Sequence, residues 1–262
     1  MPVYQDQLHR TVSIQGIPKR IISLVPSQTE LLFDLGLDEE VIGITKFCVH
    51  PDQWFRNKTR VGGTKTIKTE LITSLQPDLI IANKEENVKE QIDLLEKIAP
   101  VWISDISNID EAYSMMLSIG EITGTYSKAL ALIDQVKKGF EIFPSRITKK
   151  YRVAYLIWKD PYMSVGGDTF ISNLLQVSGF ENVLSDQMRY PQVTAAELRS
   201  KNTELVFLSS EPYPFKQKHI DELQAELPDV KIILVDGEIF SWYGSRMQYV
   251  GSYIKELWQK IV

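Results

Sequence analysis

The chain is poor in the residues that disulfides, thiolate metal sites and membrane spans require. Its 262 residues include one cysteine and three histidines. A single cysteine, Cys48, excludes an internal disulfide and any metal site built from several thiolates. No apolar run approaches the roughly 20 residues that a membrane-spanning helix needs, so we expect a protein that does not span a membrane.

The first sixteen residues lack the apolar segment of a signal peptide. This leaves two interpretations: a cytoplasmic protein, or a protein whose export signal has been removed. Positive charges are fewer than negative charges, since 29 lysine and arginine residues stand against 34 aspartate and glutamate residues, which gives a net charge of −5. Without a basic excess or a basic run, nucleic acid is not expected as a partner. An apolar fraction of 44% and a charged fraction of 24% are typical of a folded globular protein.

What the chain does have is an alternation of strand and helix patterns. Apolar runs such as RIISLVP, VIGIT and DLIIA are each followed by a helical pattern, which predicts parallel α/β structure. From Ile109 to about Ile147 only helical pattern is present, with a break near Gly120–Gly124. The alternation then restarts at YRVAYLIW. We therefore predict an α/β fold of two lobes with mainly parallel sheets, at 1–108 and 149–262, joined by one long backbone helix over 109–148.

Two lobes imply a cleft, where small ligands usually bind, and loops after parallel strands face such a crevice. The stretch VDGEIFSWYGSRM follows a predicted strand, and its glycines and lack of periodicity predict a loop. We expect Trp242 to face a ligand from the second lobe, with Glu238 and Arg246 fixing the polar edge of that ligand. The alternative is a loop whose aromatic rings fold back onto the core.

Two further stretches suggest sites but have simpler explanations. His50 lies two residues after Cys48, and both residue types bind zinc, iron or copper. The spacing fits no common closed site, so no metal is predicted and His50 is interpreted as an anchor of its loop. VGGD at 165–168 resembles a phosphate loop but lacks the lysine. It is interpreted as a turn before a helix capped by Asp168 or Thr169, and GGT at 62–64 is likewise interpreted as a turn.

No catalytic motif is present: the chain has no G-x-S-x-G, H-E-x-x-H or Walker sequence. Aromatic residues with few titratable groups suit binding better than bond-making, so no enzyme and no catalytic residue are predicted. The alternative left open is a cytoplasmic two-lobed α/β enzyme.

Several segments resemble one family: RIISLVPSQTELLFDLGL, VIGITKFCVHP, RVGGT, LITSLQPDLIIA and YPQVTAAEL. They are similar to the helical-backbone (class III) periplasmic substrate-binding proteins of ABC importers, most of all to the vitamin B12-binding branch. The resemblance implies a monomer of the periplasm or cell envelope that holds a small-molecule ligand and delivers it to a dimeric membrane permease, without a resident cofactor. Cobalamin or another corrinoid is the first choice of ligand, and a ferric siderophore or haem is the second. A cytoplasmic protein that handles a corrinoid or metal chelate stays open as a further alternative.

The resemblance also implies positions for the functional residues. The ligand-contact positions fall on Phe47, Thr64, Trp158, Tyr190, Glu238 and Trp242, and His50 and Arg246 are added from the same loops. Thr64 stands where the B12-binding pattern has a tryptophan. One acid on each lobe is implied to dock the permease, Glu70 on the first and Glu197 on the second, although the family's second acid often aligns with Ala196.

Overall fold

The computed structural model describes residues 2–141 and 149–261. The chain divides into two compact units. Unit 1 comprises Met1–Ile106, Asp110–Lys138 and Trp242–Gln248, and unit 2 comprises Ser107–Ile109, Gly139–Ser241 and Tyr249–Val262. Of the helices in the described residues, none has the length and apolar character needed to cross a bilayer.

Unit 1 is built on a five-stranded sheet in which every neighbouring pair is parallel, in the order β5-β4-β3-β6-β7. A separate antiparallel hairpin is formed by β1 and β2. The interior strand β6, which lies between β3 and β7, is buried along its whole length, as expected of a parallel strand covered on both faces. The elements are β1 (Val3–Gln5), β2 (Thr11–Ser13), β3 (Ile21–Ser23), α1 (Pro26–Asp34), β4 (Val41–Ile44), α2 (Asp52–Asn57), β5 (Thr59–Arg60), α3 (Thr69–Leu75), β6 (Leu79–Asn83), α4 (Lys89–Leu95) and β7 (Val101–Ser104).

The helical stretch after β7 forms two helices, α5 (Ile109–Ile122) and α6 (Tyr126–Glu141). The break predicted near Gly120–Gly124 is therefore confirmed. The Thr123 hydroxyl donates to the Ile119 carbonyl at 2.7 Å and so closes the last turn of α5. Most of this stretch, Asp110–Lys138, groups with unit 1. The end of the predicted backbone helix, 142–148, lies outside the described residues.

Unit 2 repeats the parallel arrangement with the strand order β10-β8-β11-β12, and β9 pairs antiparallel with β8. Its core is formed by apolar side chains of β8 and β11 packed against α8 and α9. The elements are β8 (Tyr151–Trp158), β9 (Met163–Ser164), α7 (Phe170–Val177), β10 (Phe180–Asn182), α8 (Ala195–Ser200), β11 (Leu205–Ser209), α9 (Gln217–Glu226), β12 (Lys231–Val235), α10 (Gly237–Ser241), a 3-10 helix (Ser245–Tyr249) and α11 (Val250–Ile261).

The stretch predicted as a loop after β12 is largely helical, and that prediction is wrong. The Asp236 carboxylate accepts a hydrogen bond from the Glu238 amide at 3.0 Å, and the Gly237 amide donates to the Ser210 hydroxyl at 2.9 Å. These two bonds occupy amides at the start of α10, which a helix leaves without partners of its own. The aspartate before the glycine was the signal for a helix start, and the aromatic residues concealed the pattern.

Candidate functional site

The loop after β4 carries the most exposed of the predicted ligand-binding aromatic residues. The Phe47 side chain is 50% exposed, although phenylalanine is usually buried. One part of its ring lies over the backbone of Gly63, where a Cβ atom would come within 3.2 Å of Cε2. The Lys46 ammonium lies 4.9 Å from the ring centroid. Phe47 is thus supported from one side and open on the other.

The same loop directs Cys48 inward and keeps it unreactive. The thiol is completely buried, and it lies 3.0 Å from the Thr29 hydroxyl and 3.1 Å from the Thr45 hydroxyl. Burial raises the pKa of Cys48, so the thiolate that a metal would need is disfavoured. Among the described residues, no group of three or more His, Cys, Asp or Glu side chains could hold a metal ion.

Thr64 is held inside a tight turn. The Gly63 backbone amide donates to the Thr66 carbonyl at 2.8 Å, and the Thr64 carbonyl accepts from the Asn87 side-chain Nδ2 at 2.9 Å. The prediction of a turn at 62–64 is confirmed. The Thr64 side chain is buried. The predicted contact of Thr64 with a ligand would therefore have to come from its backbone rather than from its side chain.

The segment Trp242–Gln248 belongs to unit 1, and the assignment of Trp242 to the second lobe is wrong. The Arg246 guanidinium stacks on the Trp242 ring with its carbon 4.8 Å from the centroid. The His50 ring meets Trp242 edge to face at 5.5 Å. Trp242 is only 7% exposed. Long-range packing against unit 1, invisible to local periodicity, determines this placement.

Arg246 makes a two-bonded ion pair with Glu30 of α1, a residue that sequence analysis missed. The guanidinium Nε and one terminal nitrogen each donate to a different Glu30 oxygen at 2.8 Å. Both side chains are mostly buried. Burial raises the pKa of Glu30, and this outweighs the lowering by the hydrogen bonds and charge of Arg246. Glu30 lies in SQTE, one of the segments that carry the family resemblance.

On unit 2, Trp158 is the last residue of β8 and is 41% exposed. Its ring meets Tyr213 edge to face at 5.6 Å. Tyr213 in turn packs against Phe215 and His219, with ring centroids at 4.7 and 5.4 Å. Trp158 therefore packs on one side against a series of contacting rings, while a large part of the Trp158 side chain remains exposed.

The other two candidates on unit 2 lie on separate elements. Tyr190 is partly exposed, and the Arg189 guanidinium lies 5.6 Å from its ring centroid. The Arg189 amide donates to Asp168 at 2.6 Å, which ties this loop to the VGGD turn. That turn precedes α7, and the Thr169 hydroxyl caps the helix by accepting from the Ser172 amide at 3.2 Å, as predicted. Glu238 is partly buried in the first turn of α10.

The two predicted docking acids occupy similar positions in different ways. Glu70 is exposed in the first turn of α3, whose start has no side-chain cap. Glu197 is exposed in the first turn of α8, but its carboxylate accepts from the Thr194 amide at 2.7 Å and from the Thr194 hydroxyl at 2.9 Å. The backbone hydrogen bond from Thr194 lowers the pKa of Glu197. Glu197 therefore completes a capping box as well as presenting a charge.

A family model of periplasmic binding proteins matches residues 21–230. The chain belongs to the periplasmic binding protein family. This confirms the resemblance inferred from SLVPSQTE and LQPDLIIA. An ABC transporter substrate-binding lipoprotein of Bacillus subtilis is 27% identical to this periplasmic binding protein over 212 residues, covering 77% of this chain and 67% of the relative.

A vitamin B12-binding protein of Vibrio campbellii is 25% identical over 198 residues, covering 74% of this chain and 72% of its own length. Among solved structures, a periplasmic heme-binding protein of Vibrio cholerae superposes with a TM-score of 0.78 at 19% identity, covering 91% of this chain and 98% of the other. That likeness shows the fold and confirms the predicted α/β class with parallel sheets.

Proposed function

We propose that this protein is the substrate-binding component of an ABC importer and that it captures a bulky planar ligand, a corrinoid such as cobalamin in the first place. The observation that carries the proposal is the exposure of Phe47 and Trp158, one on each unit, with Phe47 in the loop after β4 and Trp158 as the last residue of β8. Rings of this size are normally buried unless a partner covers them.

The chemistry of the two rings suits a flat, largely apolar macrocycle. Each ring rests on a support within its own unit, Phe47 on Gly63 and Trp158 on Tyr213. Supported rings bind at a low cost in conformational entropy, because little side-chain freedom is left to lose. We propose that Phe47, Trp158, Tyr190 and Trp242 contact opposite faces or edges of the ligand, and that Glu238 contacts its polar substituents. The relative from Vibrio campbellii supports the choice of a corrinoid.

Haem is the second candidate, and His50 favours it. The His50 imidazole lies beside Trp242, and a neutral imidazole is a common axial ligand of haem iron. The Vibrio cholerae heme-binding protein has the same fold. Thr64 also weakens the corrinoid choice, since the B12-binding pattern has a tryptophan there.

A titration of the purified protein with cyanocobalamin, followed by tryptophan fluorescence, tests the corrinoid proposal. We expect saturable quenching with a dissociation constant of about 1 μM or below, and a smaller response to hemin and to a ferric hydroxamate siderophore. Free N-acetyltryptophanamide at equal absorbance controls for the light absorbed by the ligand. Tyr126→Ala serves as a control variant, because Tyr126 is an exposed aromatic residue of α6 outside the proposed site. This variant should respond to cyanocobalamin like the wild type. Unchanged emission well above micromolar cyanocobalamin would remove the corrinoid, and saturation by hemin alone would establish haem instead.

We further propose that the protein acts in the cell envelope and that Glu70 on its surface contacts the permease. Glu70→Lys should abolish permease-dependent uptake while ligand affinity stays intact, since complementary surface charges mainly set encounter and register. Glu90→Lys is the matched control, because Glu90 is likewise an exposed acid in the first turn of a unit 1 helix. Equal loss of uptake in both variants would refute a specific docking role for Glu70.

A further inference from the structure

The segment Trp242–Gln248 is fixed to unit 1 at two points. The first is the ion pair of Arg246 with Glu30, whose two hydrogen bonds are both 2.8 Å long. The second is Gly244, which has φ of +108° and faces α1 so closely that an added Cβ atom would lie 3.5 Å from the Leu31 Cβ and 3.6 Å from the Ser27 carbonyl oxygen. A left-handed backbone of this kind favours glycine. Both points of attachment lie on α1.

The ion pair is better explained by orientation than by fold stability. Removing two charges from water carries a desolvation penalty that often exceeds their attraction. The raised pKa of Glu30 agrees, because it means that burial disfavours the carboxylate more than Arg246 favours it. Two parallel hydrogen bonds, however, fix the plane of a guanidinium in a way that a single contact does not.

The orientation of that plane passes on to an aromatic residue of the proposed site. The guanidinium that Glu30 holds is the one that stacks on Trp242 at 4.8 Å. Trp242 then receives the edge of His50 at 5.5 Å. Glu30, Arg246, Trp242 and His50 therefore form a series in which each side chain limits the positions open to the next.

We propose that Glu30 is a positioning residue for ligand binding, which acts on the ligand through Arg246 and Trp242 without touching it. The inference rests on the proposed function in one respect, that Trp242 contacts the ligand. It also changes the role expected of Arg246. Its guanidinium is oriented by Glu30 against a ring, so its main part is to hold Trp242 rather than to neutralise a ligand anion.

A double-mutant cycle with cyanocobalamin as the probe tests this route of action. The four proteins are the wild type, Glu30→Gln, Trp242→Phe and the double variant. Residues that act through each other typically couple by factors between about 2 and 100. We expect Glu30→Gln to weaken binding about tenfold in the wild type and by less than about twofold in the Trp242→Phe background. Equal losses in both backgrounds would overturn the proposal.

Two additional variants keep the cycle interpretable. Glu40→Gln is the matched control, since Glu40 pairs with Lys19 at 3.0 Å on unit 1 outside the proposed site, and it should bind like the wild type. Arg246→Lys retains the charge but cannot form the two-bonded, stacked arrangement. Arg246→Lys should show the same loss of cyanocobalamin affinity as Glu30→Gln. If Glu30→Gln does not fold, Arg246→Lys takes its place in the cycle. Wild-type affinity in Arg246→Lys would count against the proposal.

A readout without ligand separates this inference from the corrinoid proposal. The indole N–H resonance of Trp242 can be assigned in an NMR spectrum as the one that Trp242→Phe removes. In Glu30→Gln it should shift more than the indole resonance of Trp54, which donates to Asp38 elsewhere in unit 1. If it shifts while cyanocobalamin does not bind the wild type, Glu30 positions Trp242 and the corrinoid choice fails. If it does not shift, the positioning role is refuted whatever ligand binds.

Discussion

The two units hold their candidate tryptophans in contrasting ways. Trp242 on unit 1 is 7% exposed and contacts both a guanidinium and an imidazole. Trp158 on unit 2 is 41% exposed and touches the edge of Tyr213. A ring packed as closely as Trp242 contributes to folding and to the site together, whereas a ring like Trp158 can serve a ligand with little effect on folding. The same residue type in two post-strand segments therefore has different mutational consequences.

The largest effect should be that of Trp242→Ala on stability. Truncating a buried tryptophan typically costs about 3 kcal/mol or more of unfolding free energy. Trp158→Ala, the matched variant on unit 2, should cost less than about 1 kcal/mol, as usual for an exposed site. Urea denaturation of both variants measures the difference. Equal losses would break the contrast between the two units.

The next effect concerns affinity rather than folding. Trp158→Ala should weaken cyanocobalamin binding by about 2 kcal/mol, or roughly 30-fold, as for a ring that becomes fully desolvated on binding. Its melting temperature should stay close to that of the wild type. Fluorescence is unsuitable because the variant loses a reporter, so equilibrium dialysis against the coloured ligand is the appropriate measurement. Wild-type affinity in this variant would place the ligand away from unit 2.

A smaller difference is expected between the two first-turn acids. Glu197→Ala removes the carboxylate half of a capping box with Thr194 and should lower the melting temperature. Glu70→Ala has no cap to remove and should stay within about 0.5 kcal/mol. Glu197→Gln keeps an acceptor for the cap but removes the charge, so it should retain stability. Thermal unfolding of the three variants checks this, and a destabilised Glu197→Gln would show that the charge itself stabilises α8.

The smallest effect is a pH dependence at Glu30. Because the pKa of Glu30 is raised in the folded protein, its contribution to stability is present below the unfolded pKa and is lost as pH rises through the folded value. The stability of the wild type relative to Glu30→Gln should therefore fall as the pH rises above the ordinary carboxyl pKa of about 4. Urea denaturation at a series of pH values measures this fall. A wild-type advantage that grows with pH would mean that the ion pair does stabilise unit 1.

Short sequence patterns predicted the elements that are formed by neighbouring residues: a buried strand, a turn and a helix cap. The strand predicted at 78–82 is β6 at Leu79–Asn83, since an unbroken apolar run after Pro77 leaves few alternatives to a covered parallel strand. The turn at 62–64 and the Thr169 cap were predictable for the same reason. The α10 helix escapes prediction because the apolar run before it predicts Asp236 as the end of a strand, whereas its carboxylate caps the helix.

The arrangement around Trp242 depends on contacts that no local pattern encodes. Glu30 and Arg246 are 216 residues apart in sequence, and neither has a neighbour that predicts the other. The exposure of Phe47 and Trp158 was predictable from their positions at or beyond the ends of strands. The burial of Trp242 was not, because it depends on residues far away in the sequence, such as His50. Sequence therefore located the loops of the candidate site and left the roles of individual side chains within them open.

Isothermal titration calorimetry with cyanocobalamin tests most directly the proposal that Phe47 and Trp158 contact one planar ligand. The proteins to compare are the wild type, Phe47→Ala, Trp158→Ala and the combined variant. The account predicts one ligand per wild-type chain, weaker binding in each single variant, and no measurable binding in the combined one. Wild-type affinity in the combined variant, or binding that depends on only one of the two rings, would contradict it.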